Sequence, residues 1–390
     1  MQAQGSARAL VVVFVLNGFL MAQVFARVPT LRDQVEASTA RLGLALVAVG
    51  VGSILAMPWT ARLTARFGSP AVVTTSGLLT MASWASLAWM PTPTALTAAF
   101  FAVGVTVGVW DVAMNVQGNT QEKRHRRVLM PKLHAGFSAG SVAGALLGAA
   151  VAATALPLRV QFGVVSAVAA LALLGCVRRL AQDADERPAR TDADRPVGRS
   201  GGRRLTGLEL LLGVLTFSTA LGEGAANDWL ALVLVDERGA AEAVGALTFA
   251  GFNVAMTVGR LGGGAMIRRT GRTRVLRLAG ATAVTGVLLV ALVPSLAAAV
   301  AGGMLWGLGL SVVFPATMSA AGEIPDRGPH AIGVVSTIGY AGFLAGSPTI
   351  GIVAGQIGLD LALLIVAAVC SLVFLLAAAA RERTETMVGR

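Results

Sequence analysis

Long apolar stretches alternate with short charged connections along the whole chain. Each stretch holds about 20 mostly apolar residues, which is the length that an α-helix needs to cross the hydrocarbon core of a bilayer. Breaks at charged residues, Pro and Gly divide the chain into twelve such spans, with approximate limits 8–29, 41–60, 70–90, 94–118, 131–153, 159–177, 207–235, 242–266, 275–293, 296–320, 330–355 and 359–380. The pattern therefore predicts an all-α membrane protein with twelve transmembrane helices.

The first span resembles the start of a signal peptide, because a single arginine, Arg8, precedes it. However, it carries Asn17 and Gln23, lacks a cleavage site of small residues, and is followed by many similar spans. We interpret it as a retained transmembrane helix.

Basic residues are distributed unequally between the two faces of the predicted bundle. With both termini on one side, that side collects 25 of the 31 Lys and Arg, and the opposite side has five, Arg260 inside a span being left out. Without the long central connection the counts are still 17 against five. Because Lys and Arg concentrate in cytoplasmic loops, we expect both termini to be cytoplasmic.

The central connection at 178–206 contains mixed charge, Pro and Gly, and almost no apolar residues. Such a segment has too little apolar surface to form a core of its own. We interpret it as a cytoplasmic linker, disordered or lying on the surface. It joins an N-terminal six-helix bundle at 1–177 to a C-terminal six-helix bundle at 207–390.

The two halves share landmarks at a constant offset of 203 residues. Four pairs of glycines have this spacing: Gly68 with Gly271, Gly104 with Gly307, Gly136 with Gly339, and Gly148 with Gly351. Glycine is common in the chain, with 47 residues, so each match alone is weak and the shared offset carries the argument. It predicts two pseudo-symmetric halves.

Composition agrees with a membrane protein, since 55% of the residues are hydrophobic, 13% are charged, and the mean hydropathy is +0.73. The net charge of +11 would suggest nucleic-acid binding in a soluble protein, but aromatic residues and lysines are scarce. The cysteines, Cys176 and Cys370, lie in separate apolar runs, so neither a disulfide framework nor a C-x-x-C metal pair is available.

Motifs of catalysis and nucleotide binding are missing from the sequence. It has no G-x-x-x-x-G-K-[ST] loop for ATP, no H-E-x-x-H zinc pair and no G-x-S-x-G elbow. We therefore expect no enzyme activity, no cofactor and no metal. The energy for any transport is expected to come from an ion or substrate gradient.

The connection between the second and third span of each half resembles the G-x-x-x-D-R-x-G-R motif of the major facilitator superfamily. The C-terminal copy is GGAMIRRTGRTR and the N-terminal copy is ARLTARFGSP. Arg269 and Arg66 hold the arginine position, whereas Arg268 and Ala65 replace the acid. The resemblance implies gating roles for both arginines, although the acid that completes the usual inner-gate ion pair is absent.

Longer strings are similar to a poorly characterised bacterial inner-membrane subgroup of that superfamily. They are FARVPTLRD, GVWDVAMNVQG, LMPKLHAGFSAGSVAGALLGA, GEGAANDWLAL, FNVAMTVGRLGGG and GLGLSVVFP. The resemblance implies a rocker-switch transporter in the bacterial inner membrane, with a central substrate cavity and proton coupling. It does not imply a substrate.

Polar residues inside the spans are the candidates for function, because an ionised side chain at mid-bilayer is costly. In the fourth span, Asp111 and Asn115 lie on one helical face. Asp111 is a candidate for proton coupling or gating, the alternative being a carboxylate that holds two helices together, and Asn115 is a candidate for the cavity. His134 at the start of the fifth span is a candidate proton acceptor or an interfacial residue. Asn17 in the first span is a cavity candidate by its depth.

The seventh and eighth spans carry the remaining candidates. Glu223, flanked by two glycines, is the main candidate for proton coupling, and Asn227 lies on its face. Asp228 is a candidate gate, interfacial anchor or substrate contact. In the eighth span, Asn253 and Thr257 are cavity candidates on the face that includes Arg260. We favour an inner-gate salt bridge for Arg260, and contact with an anionic substrate is the alternative.

A secondary transporter explains these features better than an intramembrane enzyme, a receptor or a channel, because two-half repeats suit alternating access. We favour proton-coupled efflux of a small organic compound, since the chain has one Tyr and the candidate faces are rich in Gly and Ala. Proton-coupled uptake of a sugar or similar polar metabolite is the alternative. The expected partners are a small-molecule solute, protons and the lipid bilayer, with no nucleic acid, and we expect a monomer.

Overall fold

The computed structural model describes residues 2–125, 129–154, 156–180, 205–325 and 327–382, and the regular structure within these ranges is helical. The chain divides into two compact units, Met1–Arg204 and Leu205–Arg390. Most of the predicted linker, residues 181–204, lies outside the described residues.

The described residues of the first unit form six long helices and one short helix. They are α1 (Gln2–Phe25), α2 (Val28–Gln34), α3 (Thr39–Phe67), α4 (Ser69–Leu87), α5 (Pro93–His125), α6 (Met130–Ala152) and α7 (Leu158–Val177). The short helix α2 was not predicted. It begins just after α1 because Pro29 lies in its first turn, where the missing N–H costs no helical hydrogen bond.

The described residues of the second unit form eight helices, four of which are segments of two predicted spans. They are α8 (Gly207–Asp236), α9 (Glu242–Thr270), α10 (Arg272–Leu292), α11 (Leu296–Leu310), α12 (Val313–Gly322), α13 (Gly328–Ile357), α14 (Leu359–Ala362) and α15 (Leu364–Leu376). A 3₁₀ turn at Ala377–Ala380 follows α15.

Eleven helical segments in the described ranges are long and apolar enough to cross a membrane. The remaining predicted span, at 70–90, corresponds to α4, which is rich in Ser and Thr. The hydroxyls of Thr74, Ser76 and Thr80 donate to carbonyls of their own helix at 2.8, 2.6 and 2.8 Å, so they bring little unsatisfied polarity into a bilayer. The prediction of an all-α membrane protein with twelve transmembrane helices is confirmed.

The tenth predicted span, at 296–320, is divided into α11 and α12. The backbone N–H of Ser311 bonds to the carbonyl of Leu308, three residues back, and the Ser311 hydroxyl donates to the same oxygen at 2.6 Å. This local bonding competes with the regular helical pattern. Gly259 on α9 lies against Ser311, and a Cβ there would collide with its hydroxyl. The break therefore accompanies a close approach of α11 to α9.

The offset of 203 residues seen in the sequence reappears in the helix packing. A Cβ on Gly104 of α5 would overlap the carbonyl of Val49 on α3, and a Cβ on Gly307 of α11 would overlap the carbonyl of Phe252 on α9. Val49 and Phe252 are themselves 203 residues apart. Equivalent glycines thus permit the same backbone contact in each unit, as expected for pseudo-symmetric halves.

The turns into α4 and α10 repeat as well. Gly68 has φ 81 and ψ 147, and Gly271 has φ 85 and ψ 150, so both occupy backbone conformations that other residues rarely adopt. Each turn is one residue long, which brings the ends of two successive spans together in both units.

We predict that Gly104→Ala and Gly307→Ala each lower the apparent Tm in detergent by roughly 3–10 °C, because the added methyl group overlaps a backbone carbonyl that cannot move independently. Gly163→Ala and Gly262→Ala are the matched controls, since a Cβ at either position meets no atom within 4 Å. The controls should keep or raise the Tm, because alanine favours the helix. Equal shifts in all four variants would contradict the close contacts.

Candidate functional site

An ion pair inside the membrane-crossing helices joins two candidates of the second unit. The Arg260 Nη2 atom on α9 lies 3.4 Å from Oε2 and 3.5 Å from Oε1 of Glu223 on α8. The side chains are 40% and 27% exposed, respectively. Lipid cannot solvate either charge, so each side chain supplies the counter-charge of the other. The candidate for coupling and the candidate for the gate thus form one pair.

Glycines on both sides of Glu223 let α8 pack closely against its neighbours. A Cβ on Gly222 would meet the side chains of Leu310 at 3.0 Å and Cys370 at 3.1 Å, and a Cβ on Gly224 would meet Phe343 at 3.1 Å. These contacts come from α11, α15 and α13. Gly222 and Gly224 therefore pack against α11, α13 and α15, whereas the Glu223 side chain between them extends to α9.

The polar residues before Arg260 on α9 bond to their own helix. The Asn253 amide donates to the carbonyl of Phe249 at 3.0 Å, and the Thr257 hydroxyl donates to the carbonyl of Asn253 at 2.8 Å. Both side chains are half-buried, and Asn227 on α8 is half-buried as well. The helix bonds use donor groups, so the side-chain oxygens of Asn253 and Thr257 can still accept hydrogen bonds from a ligand.

Asp228 has different surroundings from Glu223, although it is only five residues further along α8. It is buried, and the hydroxyl of Ser347 on α13 donates to its carboxylate. Five residues correspond to about 500° of helical rotation, so the two acids point to different neighbours. Asp228 therefore lies in the packing contact between α8 and α13.

In the first unit, Asp111 and Asn115 contact each other on α5. The Asn115 amide donates to the backbone carbonyl of Asp111 at 2.9 Å and approaches its Oδ1 at 3.4 Å, and both side chains are half-buried. One turn earlier, a Cβ on Gly108 would collide with Ser53 of α3. The part of this face at Gly108 therefore packs against α3, and the polar groups of the face are those of Asp111 and Asn115.

Asn17 and His134 are also positioned by helix packing. Asn17 is 2% exposed, and its amide lies 3.6 Å from the sulfur of Met114 on α5. His134 on α6 is exposed, and its ring meets the ring of Phe14 on α1 edge to face at 5.5 Å. Asn17 is therefore a buried residue between α1 and α5.

A buried amide cluster connects α1, α6 and α7. The Gln23 amide donates to the carbonyl of Gly144 at 2.8 Å, and the Gln161 amide donates to Gln23 Oε1 at 2.7 Å. Such bonds satisfy polar atoms where no water is available and fix the positions of the three helices. The sequence showed Gln23, but it carried no signal that Gln161 would be its partner.

The two motif arginines predicted to gate the transporter, Arg66 in the last turn of α3 and Arg269 in the last turn of α9, are exposed. Arg66 lies over the ring of Phe67, with its Cζ 5.2 Å from the ring centre. Among the ion pairs of the described residues, none includes Arg66 or Arg269. The motif residue that does form an ion pair is Arg272, whose Nη2 lies 2.6 Å from Oε1 of Glu323. Sequence reasoning matched Arg272 to the motif but had no signal for Glu323.

Arg272 and its counterpart link equivalent helices in both units. Arg272 also donates to the carbonyl of Ala380 at 3.2 Å and to the hydroxyl of Ser319 at 3.2 Å, which ties the start of α10 to α12 and the end of the chain's last span. In the first unit the residue 203 positions earlier is Ser69, whose hydroxyl donates to Gln117 on α5. The same connection thus uses an ion pair in one unit and neutral groups in the other.

A second ion pair, between Glu209 and Arg327, was also missed. Arg327 donates to both carboxylate oxygens of Glu209 at 2.9 Å, and the Glu209 side chain is 0% exposed. Glu209 completes a capping box with Thr206 at the start of α8. The pair therefore fixes the beginning of α8 to the beginning of α13. The described residues include no group of His, Cys, Asp and Glu that could hold a metal ion.

Two pseudo-symmetric sets of membrane-crossing helices, the second with an ion pair between two of its helices, are typical of the class of membrane transporters. The family model of the Major Facilitator Superfamily matches residues 9–221 and 212–389. The chain belongs to this superfamily, and it is a multi-pass membrane transporter rather than an enzyme. This confirms the resemblance drawn from the sequence motifs.

Curated relatives cover nearly the whole chain. An uncharacterized MFS-type transporter of Yersinia pestis is 33% identical over 375 residues, which are 96% of this chain and 94% of the relative. An uncharacterized transporter of Sinorhizobium fredii is 32% identical over 365 residues, which are 93% of this chain and 95% of the relative. The match to a poorly characterised bacterial subgroup is thereby confirmed.

Solved structures of low sequence identity share the fold. A bacterial homologue of the human lysosomal transporter Spinster, in an inward-facing and unoccupied conformation, has a TM-score of 0.77 at 14% identity, covering 98% of this chain and 99% of that one. A mutant of the nucleoside transporter NupG scores 0.76 at 13% identity, over 97% and 100% of the two chains. A D-xylose–proton symporter scores 0.74 at 14% identity, over 96% of each.

We predict that Glu209→Gln lowers the apparent Tm by about 5 °C or more, because it removes the counter-charge of Arg327 and weakens the cap of α8. The pair of half-buried Arg32 and exposed Asp33 provides the control. Asp33→Asn should change the Tm by no more than about 1 °C, because surface ion pairs contribute little. Similar shifts in both variants, measured by thermal unfolding in one detergent, would show that the Glu209 pair is not a helix clamp.

Proposed function

We propose that the chain is a proton-coupled secondary transporter that exports a small organic solute across the bacterial inner membrane by alternating access. The observation that carries this proposal is the ion pair between Glu223 and Arg260 inside the membrane-crossing helices. A proton-coupled switch needs at least a carboxylate that can bind a proton and a second group, here an arginine, whose contacts depend on the charge of that carboxylate.

The distances in the pair support exchange of partners. At 3.4 Å and 3.5 Å the contacts are longer than a well-formed charged hydrogen bond, which measures about 2.7–2.9 Å. Both side chains are also partly exposed. A proton on Glu223 removes the attraction that holds Arg260. Protonation and ion pairing are thus alternative states of the same carboxylate, and a solute that favours one state shifts the equilibrium between them.

In each unit, half-buried polar side chains are proposed to contact the solute. Asn227, Asn253 and Thr257 are half-buried on α8 and α9, and Asn115 is half-buried on α5. These groups can form a limited number of hydrogen bonds, whereas broad aromatic surfaces for stacking are scarce, with one Tyr and 6 Trp in the chain. We therefore favour a compact organic solute over a sugar.

The first unit is proposed to contribute further groups that respond to protons. Asp111 is the acid of α5 and has Asn115 as its partner, and His134 lies at the start of α6. In this unit, we propose that Asp111 and His134 assist coupling, that Asn17 contributes to the substrate cavity, and that Arg66 acts in gating. In the second unit, Arg269 and Asp228 are proposed to act in gating. Each role rests on position within a span or a loop motif.

Uptake remains a second candidate because the fold neighbours include a D-xylose–proton symporter and a nucleoside transporter. Those names support coupling of this fold to protons and to polar metabolites. Alternating access is reversible, so the direction depends on the gradients and on the order of binding. Proton-coupled uptake of a polar metabolite would need the same pair of Glu223 and Arg260.

We predict that Glu223→Gln retains solute exchange, whereas solute accumulation driven by a pH gradient falls at least tenfold. Gln keeps the size and hydrogen bonding of the side chain but cannot titrate. The measurement uses proteoliposomes and a solute found by screening a compound library against the wild-type protein. Glu36→Gln, an exposed acid between α2 and α3, is the control and should transport normally.

Wild-type accumulation by Glu223→Gln would show that this acid is not the coupling site, and Asp111→Asn and His134→Gln would then be tested in the same assay. Measurements of Tm distinguish a variant that has lost coupling from one that is poorly folded. The double variant Glu223→Gln with Arg260→Gln should regain the Tm that Glu223→Gln loses, because it removes the arginine charge left without its counter-charge.

The orientation and the domain arrangement are proposals of their own. We propose that both termini are cytoplasmic, and that residues 1–177 and 207–390 form two bundles joined by a cytoplasmic linker at 178–206. The excess of Lys and Arg on one face supports this orientation. We also propose that the transporter works as a monomer.

We predict that a cysteine placed at Ser200 in the linker, or after Arg390, is protected from a membrane-impermeant thiol reagent in intact cells. The background is a variant without Cys176 and Cys370. A cysteine at Glu36 should react, because this residue belongs to the opposite, poorly basic face. Labelling of either proposed cytoplasmic position before the cells are broken would reverse the orientation.

A further inference from the structure

A groove of about 460 Å³ lies within the first unit, apart from the ion pair and from the polar faces described above. It is bordered by α3, α4 and α5, through Leu63, Phe67, Ala71, Leu79, Val105 and Val109 among others. Phe67 is 57% exposed and Leu79 is 53% exposed. The groove is therefore apolar and open at the surface of the unit.

Hydroxyl groups in the groove do not make it a polar site. The Ser76 hydroxyl donates to the carbonyl of Val72 at 2.6 Å, and the Thr106 hydroxyl donates to the carbonyls of Ala102 and Val103 at 3.1 and 3.0 Å. These two hydroxyls donate within their helices, and the exposed Thr75 adds a further hydroxyl to a lining that is otherwise mainly hydrocarbon. A polar metabolite would lose hydrogen bonds to water here without replacing them.

Two arginines lie where the groove reaches the end of α3. Arg66 is exposed and contacts the ring of Phe67, a residue of the groove wall. Arg62 is also exposed, with its Cζ 5.1 Å from the ring centre of Trp59. Neither is part of an ion pair between described residues. The apolar groove thus has two positive charges beside its α3 wall, near the end of that helix, and basic residues at such a position are typical of a membrane–water interface.

The acids of the first unit lie elsewhere. In the described part of that unit they are Asp33, Glu36, Asp111 and Glu122. Asp33 pairs with Arg32, Asp111 contacts Asn115, and Glu122 accepts bonds from the backbone of Leu129 and Met130. Among the described residues of the first unit, no acid is paired with either arginine at the groove.

We propose that the groove binds an anionic phospholipid, with one acyl chain along α4 and the phosphate between Arg62 and Arg66. From Ala71 to Leu79 the groove follows eight residues of α4, about 12 Å at 1.5 Å per residue. This length matches most of one leaflet, whose hydrocarbon is roughly 15 Å thick. The hydrocarbon wall accepts the chain, and the arginines at its end accept the headgroup.

The second unit does not repeat this site. At the offset of 203 residues, Thr270 replaces Phe67 and Arg274 replaces Ala71, so the corresponding surface is polar. Arg268 and Arg269 are exposed in the equivalent loop. They provide a matched control with the same number of charges but without the apolar groove.

The test is native mass spectrometry of the purified full-length protein with equal amounts of palmitoyl-oleoyl phosphatidylglycerol and phosphatidylcholine. We expect the wild-type protein to retain phosphatidylglycerol preferentially. In the double variant Arg62→Gln with Arg66→Gln, the preference for phosphatidylglycerol should fall by about fivefold for each arginine removed. This factor corresponds to about 1 kcal/mol for each basic residue near an anionic lipid surface. The double variant Arg268→Gln with Arg269→Gln should keep it.

A second pair of variants tests whether the acyl chain binds in the groove. Ala71→Phe fills the groove and should reduce retention of phosphatidylglycerol severalfold, whereas Ala167→Phe, on the exposed face of α7, should not. The fold is checked by the elution profile and Tm of each variant. Unchanged lipid retention in Ala71→Phe, or equal loss in both arginine double variants, would overturn the proposal.

The source of the anion is tested by competition. Millimolar inorganic phosphate and a six-carbon-chain phosphatidylglycerol should fail to displace the long-chain lipid, because neither fills the groove. Displacement by phosphate would reduce the site to an anion contact at the two arginines and would overturn the role of the groove. These measurements do not involve the transported solute, so they are independent of the outcome for Glu223.

Discussion

An ionised side chain within a bilayer needs a counter-charge, a hydrogen-bonding partner or water, and lipid supplies none of these. The placement of acids and bases in this transporter follows from that constraint. Glu223 has Arg260, Asp111 has Asn115, and buried Asp228 has the hydroxyl of Ser347. Because each partner comes from a defined position on a helix, the chemistry of the protein depends on how the helices pack.

Close helix packing in turn depends on small residues. Water-driven burial does not favour helix association inside a bilayer, so contacts must come from close approach and shape. Gly104 and Gly307 allow the same backbone contact in both units, and glycines beside Glu223 bring three helices against α8. The position of the ion pair is therefore a consequence of glycines that carry no chemistry themselves.

The two units use the same scaffold with different chemistry. Ser69 and Arg272 follow equivalent glycine turns, but one forms a neutral hydrogen bond to Gln117 and the other an ion pair with Glu323. Among the described residues, the ion pairs of Glu209 with Arg327 and of Arg272 with Glu323 lie in the second unit. The first unit instead carries the apolar groove with arginines at its end. The two units thus combine a repeated backbone geometry with different side chains.

The sequence by itself determined the fold class, because the length and apolarity of a transmembrane helix are local properties. It also showed the two-half repeat, and it identified Glu223 and Arg260 as unusual residues in their spans. It did not show that these two form a pair, because 37 residues separate them and the contact depends on the rotation of α8 and α9. Gln161, Glu323 and the bond between Glu209 and Arg327 were hidden for the same reason. Hydrophobic periodicity reports which residues enter the membrane, whereas helix packing decides which of them meet.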